Sequence, residues 1–155
     1  MIRFVDLFAG TGGIRIGFEQ ACVEFGIDNE CVYSSEIDKN ACASYELNFG
    51  HNPYSDITKV DALPEFDFML AGFPCQSFSY AGKRGGFGDT RGTLFFDVER
   101  LLKKHRPKGF LLENVRGLTS HDKGRTFQTI EQSLKNLGYH VEFRLLNSSN
   151  FNLAQ

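Results

Sequence analysis

Ile2-Arg3-Phe4-Val5-Asp6-Leu7-Phe8, followed at once by Ala9-Gly10-Thr11-Gly12-Gly13, decides the fold of this 155-residue chain. A short apolar run ending in glycines reads as a strand and a turn. Ile14, Phe18, Ala21, Cys22 and Phe25 then recur at helical spacing before Gly26. Glycine lets the backbone turn sharply and approach a ligand closely, because no side chain intervenes. The dinucleotide fingerprint G-x-G-x-x-G would need glycine at position 15, where Arg15 stands, so pyrophosphate recognition by that motif is not supported.

Strand and helix alternate through the rest of the chain. Residues 30–35 read as a second strand, and Asp38 is suited to cap a helix whose apolar face is Cys42, Tyr45 and Phe49, with Gly50 as its stop. A short strand is expected at 53–55. Residues 66–72 are almost continuously apolar, as in a central parallel strand buried on both faces, and they deliver Pro74 and Cys75. Residues 79–93 are too glycine-rich for a helix and long enough to be a functional loop, one expected to move. Leu94, Val98, Leu101 and Leu102 give the next helix, and residues 109–112 a strand that ends in Glu113-Asn114-Val115. Phe127, Ile130, Leu134 and Leu137 form a helical stripe stopped by Gly138, after which 141–146 alternates as a strand.

Repeated strand-helix-strand units predict an α/β, doubly wound, mostly parallel sheet whose ligands sit beyond the carboxyl ends of the strands. The glycine loop, Glu36, Asp56, Cys75 and Glu113 all fall at such ends. Glu36 is placed to accept hydrogen bonds from ribose hydroxyls, and Ile37 beside it to cover an adenine face, so a nucleoside cofactor is expected.

Composition narrows the class. With 41% apolar and 23% charged residues the chain matches soluble globular proteins, and at this length it can bury a core without disulfide or metal staples. No stretch approaches the roughly 18 apolar residues of a membrane helix, and Met1-Ile2-Arg3 shows no signal-peptide architecture, so a cytoplasmic protein without membrane association is expected. The net charge of −2 hides an asymmetry: residues 1–82 carry 4 basic and 12 acidic groups, and residues 83–155 carry 13 and 7. A basic second half suits a polyanion such as nucleic acid. The four cysteines include no C-x-x-C pair and no nearby histidine at zinc spacing, so no metal site is expected. Cys22, Cys31 and Cys42 lie in apolar-patterned segments and read as small core hydrophobes. Cys75, in Phe73-Pro74-Cys75-Gln76 at a strand end, stands apart.

Four ordered motifs now carry a resemblance. Asp6-Leu7-Phe8-Ala9-Gly10-Thr11-Gly12-Gly13 is similar to the methyl-donor loop of the DNA (cytosine-5) methyltransferases, and Gly72-Phe73-Pro74-Cys75-Gln76-Ser77-Phe78-Ser79 to their nucleophile motif. Arg91-Gly92-Thr93-Leu94-Phe95-Phe96 and Glu113-Asn114-Val115 match two further motifs of the family. The whole chain resembles the family's N-terminal half. The resemblance implies a Rossmann-like methyltransferase sheet, incomplete at its C-terminus. It further implies that residues 1–155 form part of an S-adenosylmethionine-dependent catalytic domain from which the target-recognition domain is absent.

Covalent chemistry on a base explains the residue types. Cytosine C5 is a poor nucleophile, and addition of a thiolate at C6 makes it enamine-like, which divides one hard step into two. Cys75 is then the nucleophile, and Glu113 the general acid that protonates or hydrogen-bonds N3. By resemblance, S-adenosylmethionine contacts Phe8, Gly10, Thr11, Gly12 and Gly13, with Glu36 on the ribose, Ile37 against adenine, Asp56 and Ile57 flanking the adenine amine, and Pro74 and Leu94 as walls. Ile37 stands where the family often has an aromatic, which weakens stacking. The family also implies double-stranded DNA as substrate with the target cytosine flipped out. Lys83, Arg84 and Arg91 are expected on phosphates, and Gln76 and Ser79 on the backbone or the flipped nucleotide. A bacterial restriction-modification role is expected. The chain stops at Gln155, which resembles the first residue of the family's Gln-x-Arg-x-Arg motif, so it is expected to be inactive alone and to need a complementary C-terminal half or second subunit. The alternatives are a tRNA cytosine-5 methyltransferase and a non-catalytic donor-binding subunit of a split enzyme.

Overall fold

The computed structural model describes residues 1–74 and 94–151. Two compact units divide the chain, Met1–Asn114 and Val115–Gln155. The first holds the sheet. Strands β1 (Ile2–Leu7), β2 (Asn29–Ser35), β3 (Phe68–Ala71) and β4 (Gly109–Leu112) lie in the order β2-β1-β3-β4, and every pair is parallel. The chain therefore leaves β1 toward one edge and returns to its other side at β3. That reversal opens the crevice in which such sheets bind ligands, beyond the ends of β1 and β3.

Helices α1 (Gly13–Glu24), α2 (Lys39–Phe49) and α3 (Phe95–His105) connect the strands. Right-handed crossovers put α1 and α3 on opposite faces, since they carry the chain in opposite directions across the sheet. The center is dry: Phe4, Val5, Leu7, Met69, Leu70, Phe95, Val98, Leu101 and Leu102 have no exposed surface. Alternation along β1 turns Phe4 and Asp6 toward α1 and α2. Phe4 packs on Phe18 with ring centroids 4.9 Å apart, and Asp6 Oδ2 accepts a hydrogen bond from the Tyr45 hydroxyl at 3.1 Å.

Local signals place the ends of α2. Asp38 Oδ1 accepts the amides of Asn40 at 2.9 Å and Ala41 at 2.8 Å, and Gly50 closes the helix at φ 75°. The expected strand at 53–55 is reduced to a single parallel bridge between Glu36 and Tyr54.

In the second unit, α4 (Arg125–Asn136) buries Thr126, Ile130 and Leu134. The strand expected at 141–146 does not form. Alternation supplies the face pattern of a strand but not the ladder partner that satisfies its backbone, and no strand among the described residues pairs with this segment or with the outer edge of β4. Phe143 meets Phe127 of α4 edge-on instead, with centroids 4.6 Å apart. No helix among the described residues is long and apolar enough to cross a membrane.

Candidate functional site

The loop after β1 is strained where a ligand would approach. Phe8 has φ 54°, a left-handed conformation that costs a bulky residue free energy and marks sites where the surroundings enforce it. Gly10 follows at φ 54° and Gly12 at φ 93°. The two glycines do different work. Gly10 faces open space and donates its amide to Glu36 Oε2 at 2.8 Å. Gly12 is buried against the Phe49 and Tyr45 rings of α2, where a Cβ would collide with Phe49.

Glu36 organises the rim. Besides Gly10, its Oε1 accepts the amides of Ile37 at 2.7 Å and Asp38 at 2.8 Å. The carboxylate thus ties the end of β2 to the glycine loop and to the entry of α2. A carboxylate offers about four lone-pair sites, so three amides leave one for a ligand hydroxyl.

A cavity of about 260 Å³ opens beside this carboxylate, lined by Phe8, Ser35, Glu36, Ile37, Ser55, Asp56, Ile57, Gly72, Pro74 and Leu94. It sits where β1 and β3 end, at the reversal of the sheet order. Seven residues expected at the cofactor meet here: Phe8, Glu36, Ile37, Asp56, Ile57, Pro74 and Leu94. Gly10, Thr11, Gly12 and Gly13 do not line it; Gly10 reaches it through Glu36, and the Thr11 carbonyl accepts from Asn48 Nδ2 at 3.1 Å. Gly72, which opens the nucleophile motif, and Ser35 and Ser55 join those seven as lining residues that the sequence reading does not assign to the cofactor. Ser35 is 1% exposed and its hydroxyl finds no partner among the described residues, while the Ser55 hydroxyl shares a 2.7 Å hydrogen bond with Tyr33. The only sequence signal of the two serines is proximity to Glu36 and Asp56.

Asp56 is partly committed to structure. Its Oδ1 accepts from the Thr58 amide at 3.1 Å and hydroxyl at 2.7 Å, capping the short 3-10 turn Ile57–Lys59, and these bonds together with Lys59 hold the carboxyl below its ordinary range.

Glu113 comes to the same rim from β4. Its amide donates to the Ala71 carbonyl at 3.0 Å, and its Oε2 lies 3.5 Å from where a Cβ on Gly72 would stand. A side chain at 72 would also press on Ile14 at 3.1 Å. Asn114 Nδ2 donates to the Phe73 carbonyl at 2.6 Å, joining the two strand ends just before Pro74. Cys75, Gln76, Ser79, Lys83, Arg84 and Arg91 lie outside the described residues, as does the loop expected at 79–93. The other three cysteines are free: Cys22 and Cys42 are buried and Cys31 is half-buried, and burial pushes the Cys31 and Cys42 thiols up. None of the described residues forms a group of three or more His, Cys, Asp or Glu able to hold a metal ion.

A four-stranded parallel sheet reversing at β1 and β3, with a carboxylate-framed cavity at that point, defines a Rossmann-like α/β fold. The model of the C-5 cytosine-specific DNA methylase family matches residues 2–155, and the chain belongs to that family. It is 66% identical over 154 residues to the type II methyltransferase M.BanI of Aneurinibacillus aneurinilyticus, covering 99% of this chain and 36% of that protein. It is 64% identical over 155 residues to the type II methyltransferase M.HgiCI of Herpetosiphon aurantiacus, covering 100% and 37%. The chain thus spans little more than a third of the length of these curated relatives. The S. pombe Dnmt2 methyltransferase shares the fold, with a TM-score of 0.65 at 24% identity over 88% of this chain and 42% of that one.

Proposed function

We propose that this chain is the cofactor-binding and catalytic part of a DNA cytosine-5 methyltransferase of a bacterial restriction-modification system, with S-adenosylmethionine as methyl donor. The observation that carries this reading is the cavity at the sheet reversal, which is lined by Glu36 and by Gly72, the residue beside which the Glu113 carboxyl lies.

The residues present fit the donor. Glu36 keeps one acceptor site for a ribose hydroxyl, and its three amide bonds fix that site before anything binds. Ile37, Ile57, Pro74 and Leu94 offer apolar faces for a purine, and Asp56 stands beside them for its amine. At about 260 Å³ the cavity lies just below the roughly 300 Å³ at which ligand pockets begin, sufficient for the nucleoside portion. When bound, the donor supplies an electrophilic methyl group on a sulfonium.

On the substrate side, the Cys75 thiolate forms a bond to C6 of a cytosine flipped out of the duplex, while Glu113 donates a proton or hydrogen bond at N3. Electron density moves to C5, which would take the methyl as the S–CH3 bond breaks and the donor's sulfur is left as a neutral thioether. Loss of the C5 proton to a base then lets the C6–S bond break and returns the Cys75 thiolate. Lys83, Arg84 and Arg91 contact phosphates, and Gln76 and Ser79 the backbone or the extruded nucleotide. Target recognition is assigned to sequence that the relatives carry beyond the shared third of their length, in the same or a second chain.

The test is transfer of a labelled methyl group with the remaining length of a type II relative supplied, offering double-stranded DNA and tRNA side by side. Label in DNA cytosine C5 is expected. Label in tRNA alone would assign the chain to the tRNA reading, and donor binding without transfer to either would assign it to a non-catalytic subunit.

A further inference from the structure

The wall of the cavity that carries Asp56 and Ile57 belongs to a segment with little regular structure, the 3-10 turn Ile57–Lys59 and the irregular stretch after it. Such a segment keeps its shape only if something outside it holds its backbone. Helix α3 does so, through side chains spaced along one face. Arg100 Nη1 donates to the Val60 carbonyl at 2.7 Å and Nη2 to the Ile57 carbonyl at 3.0 Å. Lys104 Nζ donates to the Asp61 carbonyl, and His105 Nε2 accepts the Leu63 amide at 3.2 Å.

Arg100 is the rung nearest the cavity. Its guanidinium spans the two carbonyls at the start and end of the turn, and Asp97, one turn earlier on α3, accepts from Nη2 at 3.1 Å and sets its orientation. The planar fork suits this arrangement, with Nη1 on one carbonyl and Nη2 on the other carbonyl and the carboxylate. Leu94, immediately before α3, lines the same cavity. The start of α3 thus contributes Leu94 to the lining, and its Arg100 holds the segment that contributes Asp56 and Ile57.

We propose that Arg100 is a positioning residue for the donor site: by bridging the Ile57 and Val60 carbonyls it fixes the Asp56–Ile57 wall against Leu94. This rests on the cavity being the donor site.

Two readouts on the whole chain separate the two ideas. Calorimetric titration with S-adenosylhomocysteine is run on the wild type, Arg100→Met, Arg100→Lys and Lys103→Met, a change on the same helix outside these contacts. Amide hydrogen exchange is followed at Thr58, Lys59 and Val60, with the β1 amides as the measure of global folding. Arg100→Met is expected to weaken binding about tenfold, the loss of charge-assisted hydrogen bonds to backbone, and to speed exchange at 58–60 while β1 stays protected. Arg100→Lys recovers part of both, and Lys103→Met changes neither. Wild-type affinity in Arg100→Met, or unchanged exchange at 58–60, overturns the positioning role. Absence of binding by the wild type overturns the donor site itself, whatever the exchange shows.

Discussion

Glu36 Oε2 accepts the Gly10 amide at 2.8 Å, so the carboxylate that ends β2 is fastened to the loop that follows β1. Two strand ends are locked together by one side chain whose other oxygen holds the entry to α2. The cavity is therefore preorganised from the backbone outward, and its polar anchor needs no partner to be ordered.

Glu36→Gln tests that anchor. Glutamine has one acceptor oxygen where the carboxylate has two, and its amide nitrogen faces either the Gly10 amide or the pair at 37 and 38. The lost acceptor costs about 1–3 kcal/mol, so affinity for S-adenosylhomocysteine should fall roughly ten- to hundredfold in a calorimetric titration. Unchanged affinity would show that Glu36 serves the loop alone.

Two glycine substitutions separate backbone conformation from packing. Gly10→Ala meets open space and carries only the left-handed penalty, about 1–2 kcal/mol. Gly12→Ala carries the same penalty and also drives a methyl into the Phe49 ring, adding about 1–3 kcal/mol of overpacking. Thermal or chemical unfolding should rank the variants wild type, Gly10→Ala, Gly12→Ala. Equal losses would mean that α2 gives way freely at Phe49.

Asp6 makes stability depend on pH. Burial pushes its carboxyl from an ordinary 3.8 up to about 7, against the lowering effect of the Tyr45 hydrogen bond. The folded state therefore keeps a proton that the unfolded chain has lost. Stability from this site is complete below pH 4 and declines as pH rises from about 4 to about 7, by at most about 4 kcal/mol. Asp6→Asn removes that dependence. The stability of the variant relative to wild type should rise across this interval in denaturant titrations at several pH values, and a flat difference would contradict the burial argument.

What was legible in the sequence was local. The β1 run, the Asp38 cap and the Gly50 stop each rest on a few neighbouring residues, and each formed as read. The helical stripe of α1 was read less well: Phe25 fits the spacing but is 74% exposed, because the helix ends at Glu24. Residues 141–146 have the right alternation, yet strand formation depends on a partner that alternation does not encode. The cavity residues Glu36 and Ile37 could be named because strand ends follow from the strand pattern, whereas Phe8 and Pro74 came only with the family resemblance. Arg100 could not be, since nothing in Asp97-Val98-Glu99-Arg100 shows that its guanidinium meets carbonyls some forty residues earlier. Gly12 was legible as a turn glycine, but its contact with Phe49 was not.

The proposed reaction turns on a transient bond between the Cys75 sulfur and cytosine C6. Duplex DNA carrying 5-fluorocytosine at the target, presented with donor and the remaining length of a relative, traps that bond if it forms. Fluorine at C5 blocks the proton loss that releases the enzyme, so the adduct persists. Denaturing electrophoresis and peptide mapping should find one DNA-linked peptide joined through Cys75, and none with Cys75→Ser. A linkage through another residue, or methyl transfer that survives Cys75→Ser, would contradict the mechanism.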